Sequence, residues 1–165
     1  SDLRCWCITI RYGKQIGWDM EFEVIRMPQT EEQLEQTFQQ NGPFLSAMYT
    51  ENDERIHGPE NFIMDHWVML WASGAGFLLA AKEQGNIIGL GMCVKFRDMW
   101  YGKQRLEINR YSVANEVNDE KVIVRAMMDY LLDNRTLLMF DELYLLHRTV
   151  DGGEYKELVW RANQT

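Results

Sequence analysis

The segment Gly76–Met92, which reads GFLLAAKEQGNIIGLGM, predicts a β-hairpin. Its first part, Phe77–Lys82, is a short apolar run, and its second part begins the apolar strand Ile87–Phe96, which contains two glycines. The polar residues Glu83–Asn86 separate these runs and include a glycine, and such short connections are typical of tight hairpin turns. Two adjacent antiparallel strands are therefore expected here.

Further strands and helices are predicted on both sides of this hairpin. Apolar alternation and short apolar runs predict strands at Leu3–Arg11, Met20–Met27, Arg105–Val113, Glu142–Thr149 and Tyr155–Arg161. Helical periodicity and capping residues predict helices from Thr30 to the breaker Asn41-Gly42-Pro43, at Glu60–Ser73 and at Lys121–Asp133. The order β-β-α-α-β-β-β-α-β-β, without a repeat or linker, predicts a single α/β (α+β) domain over residues 1–165, with residues 1–19 as an N-terminal strand extension.

The composition argues against several classes of protein. The net charge is −8 over 165 residues, whereas non-specific nucleic-acid binding needs a basic surface. The same charge permits cationic substrates or basic protein partners. No apolar run reaches the roughly 18–20 residues of a membrane span, and the N-terminus lacks the basic and apolar segments of a signal peptide. We therefore expect no nucleic-acid or membrane partner and a cytoplasmic rather than secreted protein.

The cysteine and histidine residues predict neither a disulfide framework nor a metal site. Three cysteines, Cys5, Cys7 and Cys93, form no spaced framework and are typical of reduced thiols. The three histidines are too scattered along the sequence to suggest a shared set of ligands.

Three segments resemble the GNAT acyltransferase superfamily. The hairpin Gly76–Met92 is similar to the second and third strands of that family, Tyr111–Glu116 to the end of its fourth strand, and Arg125–Leu132 to the helix that follows. The resemblance covers roughly Phe22 to Leu146. It implies a GNAT-like central mixed, mostly antiparallel sheet with helices on both faces, here with an extra N-terminal strand or hairpin.

The loop before that helix departs from the family pattern. Family members present backbone N–H groups of a glycine-containing loop to the CoA pyrophosphate at a helix N-terminus. The corresponding segment here, Glu116–Val124, has no glycine and contains three acidic residues. If acetyl-CoA binds, the resemblance assigns its contacts to Val113, Asn115, Asn118, Lys121 and Arg125. The alternative is that Asn118–Glu120 is an ordinary acidic helix cap.

Candidate catalytic residues lie on the strands around this loop. Acyl transfer to an amine needs a general base, and Glu107 is the carboxylate on the strand before the loop. The alternative is an exposed strand carboxylate without a role. Family members often carry a thiolate-protonating Tyr on a helix after the fifth strand, but here a Gly-Gly turn leads directly into the last strand. Tyr144 and Tyr111 are the candidate proton donors, and the alternative is that both are packing aromatics of the sheet.

Two functions fit these observations. The favoured hypothesis is a non-catalytic GNAT-fold protein without a cofactor, which acts through contacts with a protein partner or as a homo-oligomer. A bacteriophage virion or accessory protein, located in the virion, is included in this hypothesis. The acidic loop and the several Trp and Tyr residues outside the predicted core helices favour it. The alternative is an acetyl-CoA-dependent N-acyltransferase that acts on an amine or lysine.

Overall fold

Among the residues that the structure describes, seven strands form one sheet whose spatial order follows the chain. The computed structural model describes residues 8–12, 18–49, 60–149 and 151–163. The strands are β1 (Ile8–Tyr12), β2 (Trp18–Ile25), β3 (Gly76–Glu83), β4 (Asn86–Arg97), β5 (Gln104–Val113), β6 (Glu142–Arg148) and β7 (Glu154–Arg161). The helices are α1 (Glu31–Ala47), α2 (Glu60–Ala72), α3 (Glu120–Asp133) and α4 (Arg135–Leu138).

The strand pairing confirms the predicted mixed, mostly antiparallel sheet. Every neighbouring pair is antiparallel except β5 and β6, which are parallel. The extra N-terminal strand is β1, which pairs with β2. The rest of the predicted extension, residues 1–7 and 13–17, lies outside the described residues. The predicted hairpin is β3 and β4, and its turn residues Gln84 and Gly85 both have positive φ, 50° and 80°, as tight hairpin turns require.

Helices cover both faces of the sheet, as predicted. On one face α3 packs over β2 to β6, and the Phe22 ring stacks on the Tyr130 ring with centroids 5.0 Å apart. On the other face α1 and α2 cover β3 and β4, where the Trp71 indole N–H donates to the Ile25 carbonyl at 3.1 Å. None of the helices in the described ranges is long and apolar enough to span a membrane.

The contact between α3 and β4 depends on a glycine. A Cβ at Gly89 would lie 2.9 Å from Ile123 Cγ2 and 3.2 Å from Met127 Cε. Both distances are shorter than van der Waals contact, and Ile123 is fully buried. Gly89 therefore lets the N-terminal half of α3 approach the sheet closely.

The predicted end of α1 at Asn41-Gly42-Pro43 is wrong, because the helix continues to Ala47 with Pro43 inside it. Proline removes one backbone donor, and it also disfavours the helical conformation of the residue before it when that residue has a Cβ. Here that residue is Gly42, which has no Cβ to clash. Tertiary contacts stabilise the last turn, because Leu45 and Met48 are buried in the core. Tertiary packing thus overrides the local breaker.

The helix α4 was not predicted. Asn134 ends α3 and its side-chain amide donates to the Tyr130 carbonyl at 2.8 Å. One further turn follows until Met139, whose φ of 54° ends it. A four-residue helix carries too little periodicity for a sequence pattern to predict.

Candidate active site

The parallel strands β5 and β6 pair over four residues each and then separate. Their register runs from Arg105 opposite Glu142 to Ile108 opposite Leu145. Both strands continue beyond this point, to Val113 and Arg148. Because the two strands run in the same direction, the gap between them opens at their carboxyl ends, which is where open α/β sheets commonly bind ligands.

A β-bulge in β5 lies at the start of this gap. Ile108 pairs with Cys93 of β4, whereas Arg110 pairs with the preceding residue, Met92, so that Asn109 is the extra residue. A bulge bends its strand and increases the local twist. The bulge therefore coincides with the point at which β5 leaves β6.

The bulge also changes which side chains of β5 face α1. Glu107 and Asn109 line one cavity on the α1 and α2 side. Beyond the bulge, the side chains of the even-numbered residues Arg110 and Ser112 lie on this side of the sheet. Arg110 Nη1 donates to the Met48 carbonyl at 3.1 Å and Ser112 Oγ donates to the Phe44 carbonyl at 2.7 Å. These bonds hold the end of α1 against the gap.

Two adjoining cavities occupy this region. The larger, of about 530 Å³, has an apolar wall made of Trp67, Leu70, Met92, Val94, Phe96 and Leu146. Its polar lining consists of His66, Glu107, Asn109, Arg110, Glu154 and Lys156. The smaller, of about 220 Å³, shares three of these residues and adds Ala47, Met48, Tyr111, Glu120 and Arg148. The smaller cavity thus reaches from the end of α1 to the start of α3.

Glu107 is a buried carboxylate at the wall of the larger cavity. The residue is 3% exposed, so the alternative of an exposed strand carboxylate is wrong. Its Oε1 accepts a hydrogen bond from Asn109 Nδ2 at 2.8 Å, and its Oε2 lies 2.8 Å from Lys156 Nζ. The Lys156 ammonium also lies 5.0 Å from the centroid of the Phe96 ring. The structure thus places a carboxylate, a cation and an aromatic ring together in the cavity.

Tyr144 lies beside Glu107 in the sheet but outside both cavities. Its hydroxyl donates to Glu142 Oε2 at 3.0 Å, and the Arg105 guanidinium lies 5.3 Å from the centre of its ring. The Arg161 guanidinium donates a hydrogen bond to the Tyr144 oxygen, and this bond, followed by the charge of Glu142, raises the pKa of Arg161. Tyr144 therefore belongs to a polar cluster at the amino end of β6, away from the gap.

Tyr111 does line the smaller cavity. Burial raises the pKa of its phenol above the ordinary value of 10.0, and the Glu120 carboxylate raises it further, while Arg148 opposes the shift. The phenol is therefore protonated at neutral pH. Of the two candidate proton donors, Tyr111 is the one that the structure places at the gap.

The residues assigned to acetyl-CoA lie at the outer end of the gap. Val113 ends β5 opposite Gly89. Asn115, Asn118, Lys121 and Arg125 are exposed on the loop and the first turns of α3. The predicted helix cap is confirmed, because Asp119 Oδ1 accepts from the Lys121 backbone N–H at 3.1 Å. Among α3 residues, Glu120 is the one that lines the smaller cavity.

Three solved structures with a similar arrangement of strands and helices are named as acetyltransferases. No protein-family profile and no curated protein matches the sequence. A GNAT family acetyltransferase from Staphylococcus aureus superposes with a TM-score of 0.53 at 15% identity, over 86% of this chain and 98% of that one. A ribosomal-protein-alanine N-acetyltransferase from Brucella melitensis superposes with a TM-score of 0.52 at 18% identity, over 76% of this chain and 78% of that one.

A third match is the glucosamine-6-phosphate N-acetyltransferase from Arabidopsis thaliana, with a TM-score of 0.50 at 10% identity over 79% of this chain and 84% of that one. The chain has the GNAT fold. The predicted fold class and family resemblance are thereby confirmed.

The hypothesis of a non-catalytic protein is wrong, because three solved structures that share the GNAT fold of this chain are named as acetyltransferases. None of the three comes from a bacteriophage. The glycine-free loop that favoured this hypothesis is a local feature of the sequence, whereas the gap and the buried carboxylate depend on contacts between distant residues.

Cysteine chemistry and metal ligation find no support among the described residues. Cys93 is fully buried in the sheet of this GNAT fold, and burial raises the pKa of its thiol far above the ordinary value. Cys5 and Cys7 lie outside the described residues. Within the ranges that the structure describes, no three His, Cys, Asp or Glu side chains come together as metal ligands.

The basic side chains that β6 and β7 bring to the two cavities, Arg148 and Lys156, were not predicted from the sequence. Lys156 lies opposite Leu146 in the final hairpin, and Arg148 lies at the end of β6. The Gly-Gly turn gives a signal for this hairpin and its register. The approach of Lys156 to Glu107, however, depends on the parallel pairing of β5 with β6, which has no local sequence signal.

Proposed function

We propose that the chain is an acetyl-CoA-dependent N-acyltransferase that acts on an amine or a lysine side chain, and that residues 1–165 form one domain. The observation that carries this proposal is the gap between β5 and β6, with the buried carboxylate of Glu107 at its inner end. The three structures with the same fold are named as acetyltransferases, which supports it. The acidic net charge favours the approach of a cationic acceptor.

The gap has the features that the acyl and pantetheine parts of acetyl-CoA require. The pairing of β5 with β6 ends at Ile108, so an extended ligand with amide groups could lie along β5 beyond this point, as a strand does. The smaller cavity lies beside this edge. The outer end carries mixed charge, since Asp119 and Glu120 are acidic and Lys121 and Arg125 are basic. Bound acetyl-CoA would supply an activated acetyl group as a thioester.

The chain itself would supply the proton transfers. An amine attacks only in its neutral form, and Glu107 can accept the proton of an acceptor in the larger cavity directly or through one water. Tyr111, which is protonated, can donate a proton to a leaving thiolate from the smaller cavity. The apolar wall of the larger cavity can pack against an apolar part of the acceptor and so orient it.

Calorimetric titration with acetyl-CoA, followed by a thiol-release assay with a panel of primary amines, tests the proposal. We expect saturable binding to one site with micromolar affinity and thiol release that depends on the added amine. Desulpho-CoA and free adenosine diphosphate serve as ligand controls for the two halves of the molecule. Absence of binding at millimolar acetyl-CoA, or thiol release that no amine accelerates, would contradict the proposal.

A further inference from the structure

The contacts of Glu107 and Phe96 define a binding site for a primary ammonium group. The Glu107 side chain is 4% exposed and its Oε2 lies 2.8 Å from the Lys156 ammonium nitrogen. The same nitrogen lies 5.0 Å from the centroid of the Phe96 ring, within the distance at which cations interact with aromatic faces. A buried carboxylate and an aromatic face together select a cation over a neutral group.

The group that occupies this site belongs to the chain itself. Lys156 lies on β7, opposite Leu146 of β6, and its side chain is 50% exposed. The lysine stem therefore enters the larger cavity from the solvent side. Rotation about side-chain bonds would withdraw the ammonium group without breaking any strand pairing. Glu107, by contrast, is fixed in the sheet.

The remainder of the cavity suits an alkyl chain. Trp67, Leu70, Met92 and Val94 line it beside Phe96, so that an acceptor can bury an apolar stem while its ammonium reaches Glu107. Removing the cation from a buried carboxylate costs much free energy, because the remaining charge is left unpaired. An incoming molecule that displaces Lys156 must therefore bring a positive charge of its own.

We propose that Lys156 occupies the acceptor's ammonium subsite, and that the acceptor is a primary alkylammonium ion with an apolar stem which displaces it. The proposal rests on the proposed N-acyltransferase function and specifies its substrate class. Lys156 then acts as an intramolecular competitor, because an acceptor binds only when the lysine has left. In the transfer step the acceptor ammonium gives one proton to Glu107, and its nitrogen forms the C–N bond as the thioester C–S bond breaks. The leaving thiolate takes a proton from Tyr111, which the second proton released by the nitrogen replaces, so that an amide and a free thiol are formed.

Titration with n-butylammonium chloride in the absence of acetyl-CoA tests the subsite directly. Lys156→Met removes the charge and keeps an unbranched stem, and Lys103→Met, on the β4–β5 connection, is the matched control. We expect Lys156→Met to bind the probe at least about tenfold more tightly than wild type, as for a site that is otherwise open about a tenth of the time. Lys103→Met should bind like wild type, and the neutral probe n-butanol should show no gain. Equal or weaker binding by folded Lys156→Met would overturn the proposal.

A second measurement uses the wild-type protein, in case Lys156→Met fails to fold. The ¹⁵N signal of the Lys156 ammonium, assigned by its loss in Lys156→Arg, should move towards that of free lysine as n-butylammonium is added. A signal that stays unchanged up to saturating probe would also overturn the proposal.

The experiments distinguish a failure of the proposed subsite from a failure of the proposed function. If thiol release occurs with amines but Lys156→Met leaves the KM for n-butylamine unchanged, the acyltransferase function stands and the subsite is wrong. If no amine releases thiol, the function fails, and the titration without acetyl-CoA still decides whether the site binds ammonium ions.

Discussion

Glu107 and Tyr144 lie directly opposite each other in the parallel pair of β5 and β6, yet their polar groups have different partners. The carboxylate of Glu107 contacts Asn109 and Lys156 at the wall of the larger cavity. The hydroxyl of Tyr144 bonds to Glu142 at the amino end of β6. Although they are neighbours in the sheet, Glu107 and Tyr144 therefore belong to different polar clusters. Substituting each residue in turn can separate their contributions to activity.

Glu107→Gln should lower kcat for amine acetylation by about 10²–10⁴-fold, the usual contribution of a general base. The amide keeps the shape and the hydrogen bond with Asn109 but cannot accept the proton. Affinity for acetyl-CoA should stay unchanged in calorimetry, because Glu107 lines the acceptor cavity. Tyr144→Phe is the matched control and should keep activity close to that of wild type. Equal losses of kcat in both variants would contradict this role, because they would show that damage to the sheet, and not loss of a general base, lowers the activity.

Tyr111 should titrate above its ordinary pKa of 10.0, because burial and the Glu120 charge both favour the neutral phenol. The difference between the ultraviolet titration curves of wild type and Tyr111→Phe isolates this group. Glu120→Gln should move its midpoint down, and Arg148→Met should move it up. A midpoint at or below that of free tyrosine would contradict the described surroundings.

The same shift predicts how stability depends on pH. Since the folded state holds the Tyr111 proton more tightly than the unfolded state, its contribution to stability is complete below pH 10 and is lost as pH rises through the raised pKa. Urea unfolding between pH 9 and 11.5 should show a smaller loss of stability in Tyr111→Phe than in wild type. The buried thiol of Cys93 has a raised pKa as well, so part of the loss should remain.

Gly89→Ala should destabilise the fold by about 1–2 kcal/mol, within the range for overpacked cores. The added methyl would meet Ile123 Cγ2 at 2.9 Å, and a β-branched side chain in a helix has few alternative rotamers. Gly91→Ala on the same strand is the control, because its nearest atom is Met127 Sδ at 3.5 Å, an ordinary contact. Chemical denaturation measures both. Similar losses in the two variants would mean that the close approach at Gly89 is not the cause.

Glu120→Gln should tighten acetyl-CoA binding by about fivefold, since one unit of like charge at about 4 Å in water is worth about 1 kcal/mol. Glu120 lines the smaller cavity near the end of the gap where the pyrophosphate is expected. Glu116→Gln, on the exposed turn before α3, removes the same charge outside the cavity and should have a smaller effect. The gain should shrink as salt is added. An unchanged Kd for Glu120→Gln at low salt would place the pyrophosphate elsewhere.

Local patterns predicted the parts of the fold that depend on neighbouring residues. The hairpin of β3 and β4 has its turn at Gln84 and Gly85 because the sequence supplies a polar turn with a glycine. The helix α1 begins directly after Thr30, because the Thr30 hydroxyl caps it by accepting the Gln33 N–H at 3.2 Å. The continuation of α1 through Pro43 was missed because the compensating contacts, such as the Ser112 bond to Phe44, come from 68 residues away.

The candidate site was harder to predict for the same reason. Glu107 was identified from its strand alone, but its burial and its pairing with Lys156 require β6 to lie between β5 and β7. Asn109 shows no bulge signal in the sequence, because the extra residue is defined only by its partners Cys93 and Met92 on β4. Contacts between residues distant in the chain thus determine the site.

The order of the strands also bears on how the molecule folds. The pairs β3–β4, β4–β5 and β6–β7 join neighbours through short connections and close small loops, which is fast. The parallel pair of β5 and β6 instead closes a loop that contains α3 and α4, and four residue pairs secure it. Docking of the β6–β7 hairpin is therefore expected to be a late kinetic step. Because Glu107 lies on β5 and Lys156 lies on β7, a refolding chain should form the part of the core between α3 and β2 to β5 before these two side chains meet.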